Sequence, residues 1–300
     1  MAKEQVNVLI SSYNGEKYIR EQIESIKAQT YDNIKIYVRD DGSSDGTIDI
    51  LKEYESTGDI ELIVGENVRW GKSFMILLEV ATEGDYWAFC DQDDVWFPEK
   101  IQWAVEWMKS RDRQKPLLFH GSYELTNEDM TETTGIYTVP EYAFDFRRSL
   151  TDCLYQGFSI VLNRPLRELM LQGDKDVITS HDGWACLLIT KFGESFFDPR
   201  IASKHRRLEN SMSGGNLSSK IKWFFDTMKN GSSDIKGCAQ EFVRLFGDSL
   251  ITDDEKMVNL FANEKYNVVD AVKKAFYPKR WRASISSEVS IRILMLLGKV

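Results

Sequence analysis

Residues 6–11 (VNVLIS) are short, β-branched and apolar almost throughout, and turn chemistry follows at Ser12-Tyr13-Asn14-Gly15. Ile19, Ile23 and Ile26 then recur at helical spacing. The unit repeats. A strand at 34–38 leads to a helix with Ile48, Leu51 and Tyr54 on one face, with Ser44 or Asp45 as its cap. A strand at 60–64 precedes a helix over 72–82. A strand at 86–90 precedes a helix that has Pro98 in its first turn and runs to about 110, and a fifth strand spans 117–120. Strands alternating with helices at this spacing build a mostly parallel sheet flanked by helices, an α/β fold.

In such sheets ligands sit beyond the carboxyl ends of the strands. That edge is where the acids fall: Asp40 and Asp41 after the second strand, Asp91, Asp93 and Asp94 after the fourth. Two carboxylates one residue apart on a turn can share Mg2+ or Mn2+, and such a cation stabilises a departing diphosphate. The plainer reading is that these acids favour the start of the next helix. Asp40 and Asp41 suit a nucleoside's imide N–H or ribose hydroxyls, with Tyr13 stacking on the base, or else simply build a turn. Further on, 127–145 reads as loop, 157–162 and 196–202 as strands, and 180–192 as a helix capped by Ser180. His181-Asp182 lies in its first turn, where the carboxylate either complements the helix dipole or serves as general base. His120 and His205 read as packing or surface histidines.

Other chemistries lack their signatures. There is no G-x-G-x-x-G after the first strand and no P-loop. A net charge of −9 argues against broad nucleic-acid binding. Four scattered cysteines without a C-x-x-C pair fit buried thiols in a reducing cytoplasm. No secretory-type start and no run of about 18 apolar residues is present, so a cytoplasmic location is expected.

Several strings together resemble the inverting glycosyltransferases of family 2, with the GT-A fold. They are Ser11-Ser12-Tyr13-Asn14-Gly15, Ile26-x-x-Gln29-Thr30, Arg39-Asp40-Asp41-Gly42-Ser43-x-Asp45-Gly46-Thr47, Asn67-x-Arg69-x-Gly71 and Asp91-Gln92-Asp93-Asp94-Val95-Trp96. The last is most similar to the rhamnosyltransferase-like branch that builds bacterial surface polysaccharides. The likeness runs over about 5–215 and implies a GT-A domain at 1–216, with a nucleotide-sugar half at about 1–115 and an acceptor half at about 116–216. It implies that Ser11, Tyr13, Glu16, Asp40, Asp41, Arg69 and Asp91 surround the nucleotide of a dTDP- or UDP-sugar. Asp91 and Asp93 would hold Mn2+ or Mg2+, with Asp93 the direct ligand, and Asp182 would be the base. Gln156, Gly157, His181, Trp184, Arg206 and Arg207 would face the acceptor and diphosphate. The branch's Y-R-Q-H-x-x-N-x-x-G is here 205–214, with Arg206 and Gly214 kept, Arg207-Leu208 in place of Gln-His, and Asn210 one position early for the pattern's Asn. The Q-x-x-R-W string of processive synthases is absent, so transfer of one or a few sugars is expected.

Residues 217–300 read as a helical extension, broken near Gly231-Ser232-Ser233. Lys273, Lys274, Lys279, Arg280, Arg282, Arg292 and Lys299 against Glu288 give 7 − 1 = +6 from 273 onward. That excess, with the lipid-linked acceptors the resemblance implies, points to an anionic membrane at the inner face of the cell. The alternatives are packing on the catalytic domain or on a second subunit in a homodimer. Two other functions fit parts of the pattern: a haloacid-dehalogenase-like phosphatase through Asp91-x-Asp93, and a non-catalytic nucleotide-sugar-binding homologue.

Overall fold

The structure, a computed structural model, describes residues 3–138, 144–153, 155–208 and 217–300. Asn210 and Gly214 lie outside the described residues. In chain order the elements begin β1 (Val6–Ser12), α1 (Ile19–Lys27), β2 (Ile34–Asp40), α2 (Thr47–Ser56), β3 (Glu61–Val64), α3 (Trp70–Val80) and β4 (Tyr86–Asp91). Then come β5 (Val95–Trp96), α4 (Lys100–Lys109), β6 (Leu117–Thr126), β7 (Thr133–Tyr137), α5 (Phe146–Ser149), β8 (Ile160–Asn163), α6 (Arg164–Met170), α7 (His181–Phe192) and β9 (Glu194–Arg206). Helices α8 (Leu217–Asn230), α9 (Ser233–Phe246), α10 (Asp253–Lys256), α11 (Val258–Ala262), α12 (Val268–Ala275) and α13 (Ile285–Leu296) complete the chain.

The strands form one sheet in the order β3-β2-β1-β4-β8-β6-β9-β5, with β7 on the side of β6. The first four of that order are parallel, whereas β8 runs antiparallel to β4 and β6. Strand β1 alternates its side chains between two cores. Val6, Val8 and Ile10 meet Ile19, Ile23 and Ile26 of α1 and Ile101, Ala104 and Val105 of α4. Leu9 faces Phe74, Leu77 and Leu78 of α3 and joins the core that holds Trp184 and Leu188 of α7. Both faces are covered, which is why the strand reads as nearly continuous apolar sequence.

Four differences from the sequence reading have physical causes. Residues 127–145 are not all loop: β7 pairs antiparallel with an extended β6, its polar side chains placed at the sheet margin. Strand β9 runs on to Arg206 because β6 beside it continues to Thr126, and two interruptions of register absorb the mismatch. The short β5 was too brief to show periodicity and is recognised only by pairing with Ser203 and Lys204. At the start of α2 neither Ser44 nor Asp45 is the cap residue; Gly46 is, and its amide donates to Glu16 Oε2 at 2.5 Å.

The extension is helical, and it shares an apolar core with the α/β part. Phe242, Phe261, Trp281, Ile291 and Met295 belong to the same cluster as Trp184 and Leu188. Glu255 adds a polar tie. Its carboxylate accepts from the amides of Ile251 and Thr252 at 2.7 and 2.9 Å and pairs at 2.8 Å with Lys191 in the last turn of α7. Burial works to raise its pKa, but Lys191 and the two amides outweigh it and hold the group at about 2 against 4.5. A depressed carboxylate stabilises the folded chain above its unfolded pKa and loses that contribution as pH falls through the folded value. Glu255→Gln is therefore expected to lower stability by about 1 kcal/mol at neutral pH, a figure discounted for solvent screening. The gap from wild type should narrow as pH drops from about 4.5 toward 2, as followed by thermal unfolding.

Candidate active site

Register sets the site. Ser11 is level with Arg39 on β2 and with Asp91 on β4. Strand β1 lies between these neighbours at the point where the connections reverse direction, which opens a crevice at the carboxyl edge. Around it, loops are tied by side chains to backbone. Gln92 accepts from Tyr13 N–H at 2.9 Å and donates to Tyr13 C=O at 3.1 Å, joining the β1 and β4 loops as a peptide would. Gly15 leaves room for this clamp, since a Cβ there would fall 2.2 Å from Gln92 Oε1 and displace it. Asn14 and Gly15 are fixed in turn to Ser43, Ser44 and Thr47.

The expected nucleotide residues divide into those that build the crevice and those that face it. Asp40 is wholly buried and accepts from Gly42 N–H, Ser43 N–H and Ser43 Oγ at 3.0, 2.8 and 2.6 Å. Its role here is to shape the turn, where Gly42 has φ +80°. Glu16 caps α2, as described above. Asp41 is buried, pairs with Arg39 and accepts from Val68 N–H at 3.1 Å. A carboxylate has about four acceptor sites, so Asp41 retains capacity for an imide N–H. Ser11 Oγ donates to Ser73 Oγ at 2.8 Å, while the Tyr13 ring is half exposed. Arg69 is exposed, and among the described residues its guanidinium has no hydrogen-bond partner. Its backbone, at φ 67° and ψ 155°, is in a region that non-glycine residues avoid.

At the end of β4, Asp91, Asp93 and Asp94 are crowded together. Burial, then Asp94 and Asp93, push Asp91 well above the usual carboxylate range. Burial and Asp94 raise Asp93 to about 6. Asp94 is wholly buried, with one oxygen 2.8 Å from His205 Nδ1 and its Oδ2 lacking any hydrogen-bond partner. Burial opposes charge on His205, but Asp94, Asp91 and Asp93 prevail and raise it to about 9. Asp91, Asp94 and His205 each bring a donor atom within 4.8 Å of the others. His205 is thus no isolated histidine. Its distance in sequence from β4 hid it, and the signal that could have found it is its place on a strand ending beside the acids. Beneath the cluster lies Lys100, fully buried, with Nζ donating to Phe158 C=O at 2.7 Å.

Asp182 lies near the acidic end of β4: the His181 ring beside it in sequence packs against Phe89 at 4.6 Å, and Asp182 adds to the rise of Asp91. Its Oδ1 accepts from Ser180 Oγ at 2.6 Å and from Gly183 N–H at 2.8 Å. Ser180 also caps α7. Two glycines let this helix approach. A Cβ on Gly71 would come 2.0 Å from Thr179 C=O, and one on Gly157 would come 2.6 Å from His181 Nε2. Half-buried Gln156 precedes Gly157, so this segment does reach the start of α7.

The remaining acceptor-side expectations meet different placements. Trp184 is wholly buried, its Nε1 donating to Met170 C=O, so it packs α7 and presents no surface to an acceptor. His181 is buried among Phe74, Phe89 and Trp70, and burial lowers it to about 4, which keeps it neutral. Arg206 is buried and fully engaged: Nε donates to Asp93 C=O at 2.9 Å, Nη2 pairs with Glu21 at 2.7 Å and Nη1 reaches Glu128 C=O. It braces the acidic loop instead of offering an arm to diphosphate. Arg207 prolongs β9 by bonding Thr126 C=O and is half-buried.

The strained backbone at Arg69 gives a direct test. Arg69→Gly should raise the unfolding free energy by about 1 kcal/mol, because glycine adopts that φ without penalty. Chemical denaturation measures it, and a loss of stability would contradict the strain.

Comparison with known proteins places this geometry. Residues 7–166 match the family model described as glycosyl transferase family 2. An uncharacterized glycosyltransferase of Rickettsia prowazekii is 28% identical over 209 residues, covering 67% of this chain and 63% of that protein. The putative teichuronic acid biosynthesis glycosyltransferase TuaG of Bacillus subtilis is 28% identical over 225 residues, 73% of this chain and 86% of TuaG. The dTDP-rhamnosyl transferase RfbG of Shigella flexneri is 39% identical over 103 residues, 32% of this chain and 36% of RfbG. The aligned part thus spans less than two thirds of several curated relatives. Among solved structures, S. aureus TarS 1–349 superposes with a TM-score of 0.57 at 15% identity, covering 98% of this chain and 79% of that one. A mannosyltransferase of Pyrobaculum calidifontis, in complex with GDP-Man and Mn2+, gives 0.55 at 15% identity, covering 99% and 87%. The fold is GT-A, and the phosphatase alternative falls with it. More than half of the sequence carries the family's pattern, and the chain belongs to glycosyl transferase family 2.

Proposed function

We propose that this transferase moves a sugar from a dTDP- or UDP-linked donor to a saccharide or lipid-linked saccharide, with inversion, in bacterial surface polysaccharide synthesis. The observation that carries this reading is the placement of Asp182 near the acidic end of β4, with the neighbouring His181 ring packed on Phe89, two residues before Asp91. A carboxylate on the acceptor side and a charge-stabilising site on the leaving-group side are the two requirements of a single displacement. The relatives' printed names support polysaccharide synthesis and favour rhamnose as a candidate sugar.

The acidic cluster fits a divalent cation. Asp94 has a buried oxygen with no hydrogen-bond partner, and crowding leaves Asp91 and Asp93 short of compensating charge. Asp91, Asp93 and Asp94 Oδ2 would hold Mn2+ or Mg2+, hard cations that prefer such oxygens. When bound, the ion supplies positive charge to the departing diphosphate. The chain's own residues do the rest. Asp41, Ser11 and Tyr13 orient the nucleoside, and Arg69 extends a guanidinium toward the phosphates. Asp182 removes the proton from the acceptor hydroxyl, and that oxygen attacks the anomeric carbon from the face opposite the diphosphate. Ser180 and Gly183 fix Asp182 through one oxygen, which leaves Oδ2 for the proton.

The extension adds a location. Val268, Val269, Val272 and Phe276 of the α12 segment and Ile285, Val289, Ile293 and Leu296 of α13 are exposed, and the two helices pack on each other. No helix among the described residues is long and apolar enough to cross a membrane. Part of the positive excess is turned inward, since Lys274 donates to Val300 C=O and Arg292 pairs with Glu288. Lys273 and Arg280 stay exposed near the apolar stripes, while Lys279, also exposed, pairs with Asp254. A second copy would bring these like charges together, whereas an anionic lipid surface complements them. The occupant is therefore an anionic membrane.

Three outcomes test this reading. Asp182→Asn should lower kcat about 100- to 10,000-fold with donor binding intact; near-normal turnover would remove Asp182 from the role. The same assay separates an enzyme from a non-catalytic homologue. Asp93→Asn should weaken metal-dependent donor binding by about tenfold or more, as read by calorimetry with and without Mn2+. In flotation, the full chain should rise with vesicles containing phosphatidylglycerol, and Phe276→Asp with Ile285→Asp should abolish this; equal flotation would end the membrane assignment.

A further inference from the structure

A cavity of about 240 Å3 opens beside the start of α7. Ser180 and Gly183 line it, and these are the two residues that hold Asp182. Its opposite wall comes from the C-terminal extension, through Trp223 of α8, Asp234 and Ile235 of α9, and Arg282. Thr151 and Asp152 of the α/β part complete the rim. The cavity therefore exists only because α8 and α9 pack against the segment that leads into α7.

We propose that this cavity seats one neutral sugar ring of the acceptor, so that the extension is part of the acceptor site. The inference rests on the reading of Asp182 as base. Size is the first argument: the space is below the roughly 300–1,000 Å3 of clefts that hold drug-sized ligands, and suits a single ring. Chemistry is the second. A sugar presents hydroxyls around its edge and an apolar C–H face, and the lining offers both partners: hydroxyl and carboxylate oxygens for the edge, the Trp223 indole for the face. The indole is held by Arg282, whose guanidinium lies 5.1 Å over its ring. Asp152 accepts from Ala283 N–H at 3.3 Å and Asp234 from Thr179 Oγ1, which fixes both carboxylates at the lining.

Charge is the third argument, and it gives the specificity. Among the described residues, two carboxylates and one guanidinium line the cavity and the Asp182 carboxylate lies just beyond, a lining that disfavours a negatively charged ring. A ring bearing a carboxylate or phosphate would meet repulsion in a partly desolvated space. Neutral hexoses, deoxyhexoses and acetamido sugars are accepted and uronic acids are refused.

The test uses the full chain with UDP and Mn2+ and reads binding by saturation-transfer NMR. The probes are the methyl glycosides of rhamnose, glucose, N-acetylglucosamine and glucuronic acid. At least one neutral glycoside should bind, methyl glucuronide should bind about tenfold more weakly or not at all, and Trp223→Ala should weaken the neutral ligand by about tenfold. If Trp223→Ala fails to fold by circular dichroism, Ile235→Trp, which narrows the cavity from its other wall, should give the same loss. No glycoside binding to wild type, unchanged affinity in the variants, or a glucuronide that binds as well as the neutral ligands overturns the proposal. Asp182→Asn keeps the side chain's shape and should keep glycoside binding. Failure of the base reading would appear as full turnover in that variant, and failure of the cavity reading as unchanged binding in Trp223→Ala.

Discussion

Asp91, Asp93 and Asp94 are forced together at a desolvated strand end, and much of the surrounding structure answers their mutual repulsion. His205 arrives from β9 to pair with Asp94. Lys100 brings a buried ammonium beneath them, held at about 8 because burial lowers it while Cys90, Asp94 and Asp91 raise it. Arg206 fixes the backbone of Asp93 and is itself balanced by Glu21. These groups support the acids from below and behind. Among the described residues Asp94 Oδ2 is left without a hydrogen-bond partner, which suits a cation at this end of the crevice.

What the sequence showed of this arrangement follows from what is local. The parallel half was legible because β1, β2 and β4 are short apolar runs, and the acids follow them directly in the chain. Asp182 was legible as a residue in a capped first turn, since Ser180 lies two positions before it. What could not be read is what depends on distant partners. Asp40 and Glu16 resemble ligand residues in sequence, yet both hold backbone amides in loops brought close by β1–β2 pairing. Trp184 sits two positions after Asp182, but the helical turn carries its ring into the core. Gln92 carries no signal of its own in the sequence, because its clamp on Tyr13 appears only when two strand ends are side by side. For Arg206, Glu21 and Asp93 lie too far away in the chain to suggest that they engage its guanidinium.

The C-terminal helices gain a clearer place. By composition they were an apolar and basic tail outside the strong resemblance. In the fold Trp281, Phe242 and Phe261 enter the same core as α7, so the extension fixes the helix that carries Asp182. Removing it would strip core residues along with any surface it offers. One face of the extension walls the cavity beside Asp182, and its exposed stripes lie on α12 and α13. Under the proposed reading, the first serves a sugar ring and the second a lipid surface.

The central claim is a single displacement driven by Asp182 against a metal-stabilised leaving group. The anomeric configuration of the transferred sugar tests it most directly, read from proton NMR of the purified product against a donor of known configuration. The account predicts inversion. Retention would require a second displacement or a front-face path, and would contradict the role given to Asp182.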